Sequence, residues 1–493
     1  MLFNSYIFIF LFLPITLFGY FFLNRINARV ASKCWLVFCS IFFYGYFNFS
    51  FLWIILSSVI VNYLFSMYFE KSKENKSIFR KFLFIVGLIF NIGLLFIYKY
   101  LDFVFEIASN LFSIDLIYMG LTLPLGISFF TFQQVSYLVD SYKGTAKQYS
   151  LLDYSLFVTF FPQLIAGPIV LHNEVIPQFE NDNNLNFNAE NLSKGLFLFA
   201  QGLAKKVIIA DNFGKIVSYG YVHIPTLNSF EAILTILAYT LQIYFDFSGY
   251  CDMASGIAYM FNIELPINFN SPYKAKTISE FWKRWHITLT RFLTNYVYIP
   301  LGGNRKGSVR TYMNILIVFI VSGIWHGAGY TFVLWGALHG IAMLLDRVFK
   351  KYISKISPMF TWFATFVFVN ITWVFFRADS IKNAIALLGN VFNGGFDINQ
   401  ELTEILLNII PISIITNGMS LIFSSASDMG LILNICMIVL FFAFIGVCLL
   451  FPNAQEKTKK FTPKASNLIS TTFLMIWGIL SLSGVSVFLY FNF

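Results

Sequence analysis

Apolar runs of close to 20 residues, separated by short polar stretches, dominate the chain. They lie near 5–24, 34–48, 51–69, 82–104, 120–139, 194–212, 230–248, 311–326, 330–346, 358–376, 404–424, 429–451 and 466–489. A helix of ~20 apolar residues spans the hydrocarbon core of a bilayer. Several runs are short or broken by Gly and Pro, so the pattern predicts about 11 or 12 spanning helices plus re-entrant pieces. Irregular backbone at membrane depth survives only when buried in protein or lining a cavity. The segment 160–169, with Pro162, Gly167 and Pro168 in an apolar run, is the best re-entrant candidate. The first run, Ile7 to Leu23, is too long for an ordinary signal sequence and no small-residue cleavage site follows, so it reads as a retained helix.

Composition sharpens this picture. Of 493 residues, 58% are hydrophobic and 12% charged, against about 45–50% and 25% in ordinary globular chains. No soluble core hides that much apolar surface, so the chain is an all-α polytopic membrane protein. A disulfide scaffold, a disordered chain, a collagen and a free cytosolic enzyme are excluded. The loops are too short for a separate water-soluble catalytic domain, and the chain reads as one unit. The net charge of +9 reports mostly cytoplasmic loops rather than a nucleic-acid footprint. The five cysteines form no CxxC and the five histidines no HxxxH, so neither a zinc site nor a disulfide framework is expected.

Positively charged loops face the cytoplasm. Arg25, Arg29 and Lys33 follow the first run; Lys71, Lys73, Lys76, Arg80 and Lys81 mark a second inner loop; Lys143 and Lys147 a third. Arg347, Lys350, Lys351 and Lys355, and later Lys457, Lys459, Lys460 and Lys464, mark two more. Both termini are therefore expected outside. Three runs lie between the last two inner loops, which parity forbids; 404–424, interrupted by Pro411 and Gly418, is the one expected not to cross.

The polar residues that could carry chemistry gather between Gln242 and His339. Asp246 and Asp252 sit in an apolar segment, where a carboxylate costs about 2.5–3.5 kcal/mol and marks a site by default. The alternative is pairing with a buried cation for structure alone. In SEFWKRWHITLTRFL, Trp282, Trp285, Leu289 and Phe292 fall on one stripe of a single helix, with Glu280 and Arg284 as an i,i+4 pair and His286 flanking the stripe. Lys283, Arg284 and Arg291 make it a poor lipid-facing span, so it reads as a helix bordering a wet cavity. LGGNRKG follows; its glycines, Arg305 and Lys306 could hold a phosphate, although the pattern is not a P-loop. An ordinary inner-face turn is the competing reading. Trp325 and His326 then end an apolar run, with Gly323, Gly327 and Gly329 around them. A neutral imidazole is cheaper in the membrane than a carboxylate and still takes a proton near pH 7. Taken alone it fits catalysis or a helix–helix hydrogen bond. His339 reads as a helix–helix partner, His172 and His223 as loop residues. There is no GxSxG elbow, and a helical transporter with intramembrane charges is the rival class.

Six segments together resemble the membrane-bound O-acyltransferase family, in its bacterial branch that O-acetylates alginate and peptidoglycan. They are FFPQLIAGPI (160–169), YFDFSGYCDMA (244–254), FWKRWHITLTRFL (281–293), YIPLGGNRKG (298–307), SGIWHGAGYTFVLWGALHG (322–340) and WVFFRADS (373–380). Leu171, Asn295 and Cys251 depart from that branch, which usually has Arg, Asp and Ser there. The resemblance implies a ring of helices about a thinned centre, with N-terminal helices over 1–150, a catalytic core over 151–345 and C-terminal helices over 346–493. It implies His326 as the catalytic base and His286 as a second active-site group. Trp282, Lys283, Arg284, Trp285, Asp246, Asp252, Arg305, Lys306 and Trp325 are then expected to bind donor or substrate. No resident cofactor is implied; acetyl-CoA or another thioester is the donor, with D-alanyl transfer toward teichoic acid as the alternative. Expected partners are membrane lipids and an extracytoplasmic SGNH-type acetyltransferase or esterase that reaches the polysaccharide; the expected location is the bacterial inner membrane. The ending FLYFNF places Phe488, Tyr490 and Phe493 in an F-x-Y-x-x-F pattern. Similar endings in this branch, or on a partner subunit of the D-alanylation system, suggest Tyr490 as an acyl relay; an aromatic interfacial anchor is the other reading.

Overall fold

A computed structural model describes residues 1–73, 77–409, 426–482 and 488–489. Among them there is no β-strand. The first third holds α1 (Leu13–Arg25), α2 (Arg29–Gly45), α3 (Leu52–Lys71), α4 (Ile78–Lys99), α5 (Leu101–Phe112) and α6 (Ile127–Lys143). The middle holds α7 (Leu151–Thr159), α8 (Phe161–Leu164), α9 (His172–Glu180), α10 (Ala189–Ala204), α11 (Asp211–Val222), α12 (Ser229–Met260), α13 (Ile278–Trp282), α14 (Ile287–Leu293), α15 (Gly307–His326) and α16 (Tyr330–Val348). The last part holds α17 (Lys350–Ile353), α18 (Pro358–Arg377), α19 (Ile381–Asn390), α20 (Gln400–Leu407), α21 (Ala426–Leu450), α22 (Ala454–Lys459) and α23 (Ala465–Leu480).

Seven helices among the described residues are long and apolar enough to cross a membrane: Phe8–Arg25, Phe49–Lys71, Ile78–Lys99, Ser229–Met260, Gly307–His326, Tyr330–Val348 and Pro358–Arg377. The apolar runs 194–212 and 120–139 overlap shorter helices, the 16-residue α10 and the 17-residue α6. The run 404–424 falls largely outside the described residues; α20, with Glu401 and Glu404, covers its start.

The centre is α12, 32 residues long and buried along nearly its whole length. Its first turn is closed by a capping box: Glu231 N–H donates to the Asn228 side chain at 3.0 Å, and Asn228 N–H to the Glu231 carboxylate at 3.3 Å. α10 lies against it through glycines. A Cβ on Gly202 would stand 2.6 Å from the Gly249 carbonyl oxygen, so only backbone fits, the small-residue contact that membrane helices use in place of a hydrophobic driving force. Polar groups add to this. Asn62 on α3, Asn91 on α4 and Gln134 on α6 bond one another at 2.7–3.0 Å in the buried interior.

The segment 160–169 is wholly buried and irregular on both sides of the single turn α8, as its prolines and glycine predict. Its loose groups find partners in the core: Phe161 N–H donates to the Ser40 hydroxyl, and Ile169 N–H to the Thr288 hydroxyl.

One element departs from its pattern. The aromatic spacing of 281–293 predicts one helix, yet the chain stops at Trp282 and restarts at Ile287. Two loop residues take the main-chain groups a continuous helix would use. Asn270 N–H donates to the Arg284 carbonyl at 2.9 Å, and Ile287 N–H to the Asn268 carbonyl at 3.0 Å. Tertiary contacts thus override a local period. His286 absorbs the break in a left-handed conformation, φ 44° and ψ 52°, which costs a non-glycine residue about 1–3 kcal/mol and persists only where surroundings enforce it.

Candidate active site

Two histidines meet where the broken helix faces the end of α15. His286 is completely buried and His326 nearly so, and their ring centroids are 6.2 Å apart. His326 closes α15, walled by Trp325, Trp335 and Phe376 at 4.9, 5.2 and 5.1 Å between ring centroids. A third histidine, His339, accepts a hydrogen bond from the Trp282 indole at 3.2 Å. It behaves as the helix–helix partner the sequence suggests.

The glycines around His326 admit a neighbouring helix. A Cβ on Gly323 would sit 2.3 Å from the Phe332 carbonyl oxygen, and one on Gly336 would sit 2.4 Å from that of Phe319. α15 and α16 therefore touch backbone to backbone, one turn below His326. Gly323→Ala is expected to push the two helices apart and move the imidazole. A misplacement of 1 Å costs about 10²-fold in rate, so turnover should fall by that order. Assay of the purified variant, alongside its melting temperature, checks this.

The tautomer of His286 follows from its neighbours. The Asn268 side-chain oxygen accepts the Thr288 hydroxyl at 2.9 Å and the Thr288 N–H at 3.3 Å, while its amide donates to Cys251 Sγ at 3.3 Å. His286 Nδ1 meets the same oxygen at 3.1 Å. An oxygen that accepts cannot also donate, so Nδ1 carries the proton and Nε2 the lone pair. Asn268 and Thr288 were not singled out by the sequence. Asn268 sits in a loop, where nothing in the spacing marks it.

Two cavities approach the histidines. A small one of about 30 Å³ is lined by Lys99, Gly126, Ser128, Phe129, Trp325 and His326. A second, about 260 Å³ and apolar, reaches Trp282, Phe319 and Ser322, one helical turn before His326. It shares Trp282, Thr290, Met343 and Arg347 with a third of about 1000 Å³, whose cations are Lys276, Lys283, Arg347 and Lys350.

The remaining predicted residues divide. Trp282, Trp285 and Trp325 are buried around the histidines. Lys283 is exposed and lines the third of these cavities. Arg284 forms its predicted i,i+4 pair with Glu280 at 2.9 Å and also holds the Asn270 carbonyl. Asp246 and Asp252 each receive a lysine at 2.6 Å, Lys206 and Lys205 respectively. Those lysines project from the π-helical turn Lys205–Ala210. Lys206 also pairs with Asp211, and Asp252 accepts from Gln455. Arg305 and Lys306 are exposed on a turn whose Gly302, Gly303 and Gly307 have positive φ, outside the linings of these three cavities. His172 is not a loop residue. It opens α9, buried between Tyr149 and Asp140. Tyr490 lies outside the described residues. Just before it, Leu489 N–H donates to Asp246 at 3.1 Å, and the Phe488 ring is buried on Tyr250 at 4.4 Å, 4.7 Å from the Lys206 ammonium.

The sequence profile of the membrane-bound O-acyltransferase family matches residues 123–385, a span that holds both histidines and every lining residue of the two larger cavities. The chain belongs to this family. It is thus a membrane-bound acyltransferase and a multi-pass membrane protein. The peptidoglycan O-acetyltransferase of Helicobacter pylori is 41% identical over 100% of this chain and 98% of its own length. The probable alginate O-acetylase AlgI of Pseudomonas aeruginosa is 35% identical over 80% of this chain and 75% of its own. The teichoic acid D-alanyltransferase of Bacillus subtilis is 28% identical over 47% and 60%. The buried imidazole pair thus has a small cavity at His326 and an apolar cavity one helical turn away, at Ser322.

Proposed function

We propose that this acyltransferase carries an acetyl group from a cytoplasmic thioester across the bacterial inner membrane for O-acetylation of an extracytoplasmic polysaccharide. The observation that carries the reading is the buried His326–His286 pair at 6.2 Å. Its relatives' names, which include peptidoglycan and alginate acetylation, supply the substrate class. Similarity to the D-alanyltransferase covers only 47% of the chain, so acetyl transfer is preferred.

His326 takes the proton of the accepting hydroxyl as its oxygen attacks the thioester carbonyl. The tetrahedral intermediate collapses, the C–S bond breaks, and the leaving thiolate takes up a proton. His286, fixed with its lone pair on Nε2, orients the reacting groups. Acetyl-CoA is the donor substrate; no resident cofactor takes part. The acyl group leaves through an SGNH-type partner on the outer face, and both termini of the chain lie on that side.

The donor enters through the cavity of about 1000 Å³. Arg347 in the last turn of α16 and Lys350 at the start of α17 belong to a basic cluster that the positive-inside rule assigns to the cytoplasm, and with Lys276 and Lys283 they suit the phosphates of CoA. The apolar cavity beyond suits the pantetheine arm. Arg347→Glu together with Lys350→Glu is expected to raise the acetyl-CoA concentration for half-maximal rate by about tenfold, with a smaller effect on the maximal rate. The same reversal at Arg305 and Lys306 is the comparison. If that pair has the larger effect, the phosphates sit on the 301–307 turn instead.

The test of the reading is release of CoA from acetyl-CoA by the purified protein in detergent, followed with a thiol reagent. An acyltransferase releases CoA and loses that release in His326→Ala. A transporter of an activated group releases none.

A further inference from the structure

The last four carbonyls of a helix have no partner within it, and that end carries partial negative charge. In α15 those carbonyls belong to the turn that bears His326. Three of them are met by Lys99, the last residue of α4, and by Tyr100 just after it. Lys99 Nζ donates to the Trp325 carbonyl at 2.6 Å and the His326 carbonyl at 3.1 Å. The Tyr100 hydroxyl donates to the Ile324 carbonyl at 2.9 Å. The Lys99 ammonium also stands 5.9 Å from the Trp325 ring centroid and lines the small cavity with His326.

Lys99 differs from Lys205 and Lys206 in its partners. Lys205 and Lys206 each hold a carboxylate at 2.6 Å. Among the described residues no ion pair involves Lys99. A cation at a membrane-spanning segment without a counter-ion is costly and marks function by default. A carbonyl cap alone needs only a hydroxyl, which Tyr100 supplies next door. A lysine, not only a hydroxyl, is kept at the helix end that carries His326.

We propose that Lys99 is a positioning residue for acyl transfer, capping the end of α15 so that the His326 imidazole is held at the small cavity beside Phe129. The assignment rests on the acyltransferase mechanism proposed above. Lys99 does no bond-making; it fixes the turn that places the base.

The test is single-turnover CoA release from acetyl-CoA by the full chain in detergent, measured as maximal rate and as half-saturating donor concentration. Lys99→Met keeps the stem length and removes the charge. Its maximal rate is expected to fall about 10²-fold, with half-saturation changed less than about two-fold, because the donor cavity is untouched. Lys99→Arg, which restores a cation with donors, is expected to recover most of the rate. If Lys99→Met does not elute as monodisperse protein, Lys99→Gln, which keeps an N–H donor without the charge, decides the point. A near-normal maximal rate in the uncharged variant, or a loss that lies entirely in half-saturation, overturns the assignment. Wild-type protein that releases no CoA overturns the acyltransferase mechanism instead, so the two failures are distinct.

Discussion

His326→Ala is expected to abolish CoA release and polymer acetylation while the protein still folds. Loss of a general base costs ~10²–10⁴-fold, and nothing else in the described site could replace it at the same place. His286 is 6.2 Å away between ring centroids, and its backbone is fixed in a left-handed turn. Alanine keeps the α15–α16 contact, which is made by Gly323 and Gly336 rather than by the imidazole. The variant should therefore elute and melt like the wild type. His286→Ala should retain partial activity, because the role proposed for it is orientation. Should His286→Ala prove the more severe of the two, the proton is taken there and the roles are exchanged. Near-normal polymer acetylation by His326→Ala removes the mechanism altogether.

Where an apolar run was uninterrupted, the sequence and the fold agree closely. The runs 330–346 and 358–376 become Tyr330–Val348 and Pro358–Arg377. The run at 230–248 falls short of α12, which continues to Met260. The reason is chemical. Asp246 and Asp252 end an apolar window, yet Lys206 and Lys205 neutralise them from another helix, so the helix runs on. Hydropathy along one strand of chain cannot see a counter-charge some 40 residues away. The break at His286 was hidden for the same reason, since the groups that stop the helix come from Asn268 and Asn270. The histidines themselves were legible, because imidazoles in apolar sequence are few. Their support was not. Asn268 in a loop and Lys99 at the end of a span gain meaning only from what they touch.

Tyr490→Phe is the second large effect expected. The two residues before it, Phe488 and Leu489, are held at the core of the protein. Leu489 N–H binds Asp246, and Phe488 packs on Tyr250 near the Lys206 ammonium. An interfacial anchor has no need of an N–H bound to a buried carboxylate. The Asp246–Lys206 pair thus gains a use beyond neutrality, as the fixed point for Phe488 and Leu489. A phenol ionises near pH 10, so it attacks a thioester at neutral pH only with a base to take its proton, the role given to His326. The oxygen of Tyr490 would bond to the acyl carbon as the C–S bond breaks, and the aryl ester formed is a better acyl donor than an alkyl ester. Tyr490→Phe keeps the ring and removes that oxygen. The variant is expected to fold and to bind acetyl-CoA, and to leave the polymer unacetylated, a loss at least as large as that of a general base, ~10²-fold or more. Wild-type protein incubated with acetyl-CoA alone should give a burst of CoA equal to the protein present, and mass spectrometry of the C-terminal peptide should find one acetyl group. An active Tyr490→Phe variant with no trapped adduct on the wild type means that the acyl group passes to the partner directly, and that the bond between Leu489 and Asp246 serves only to seat the tail.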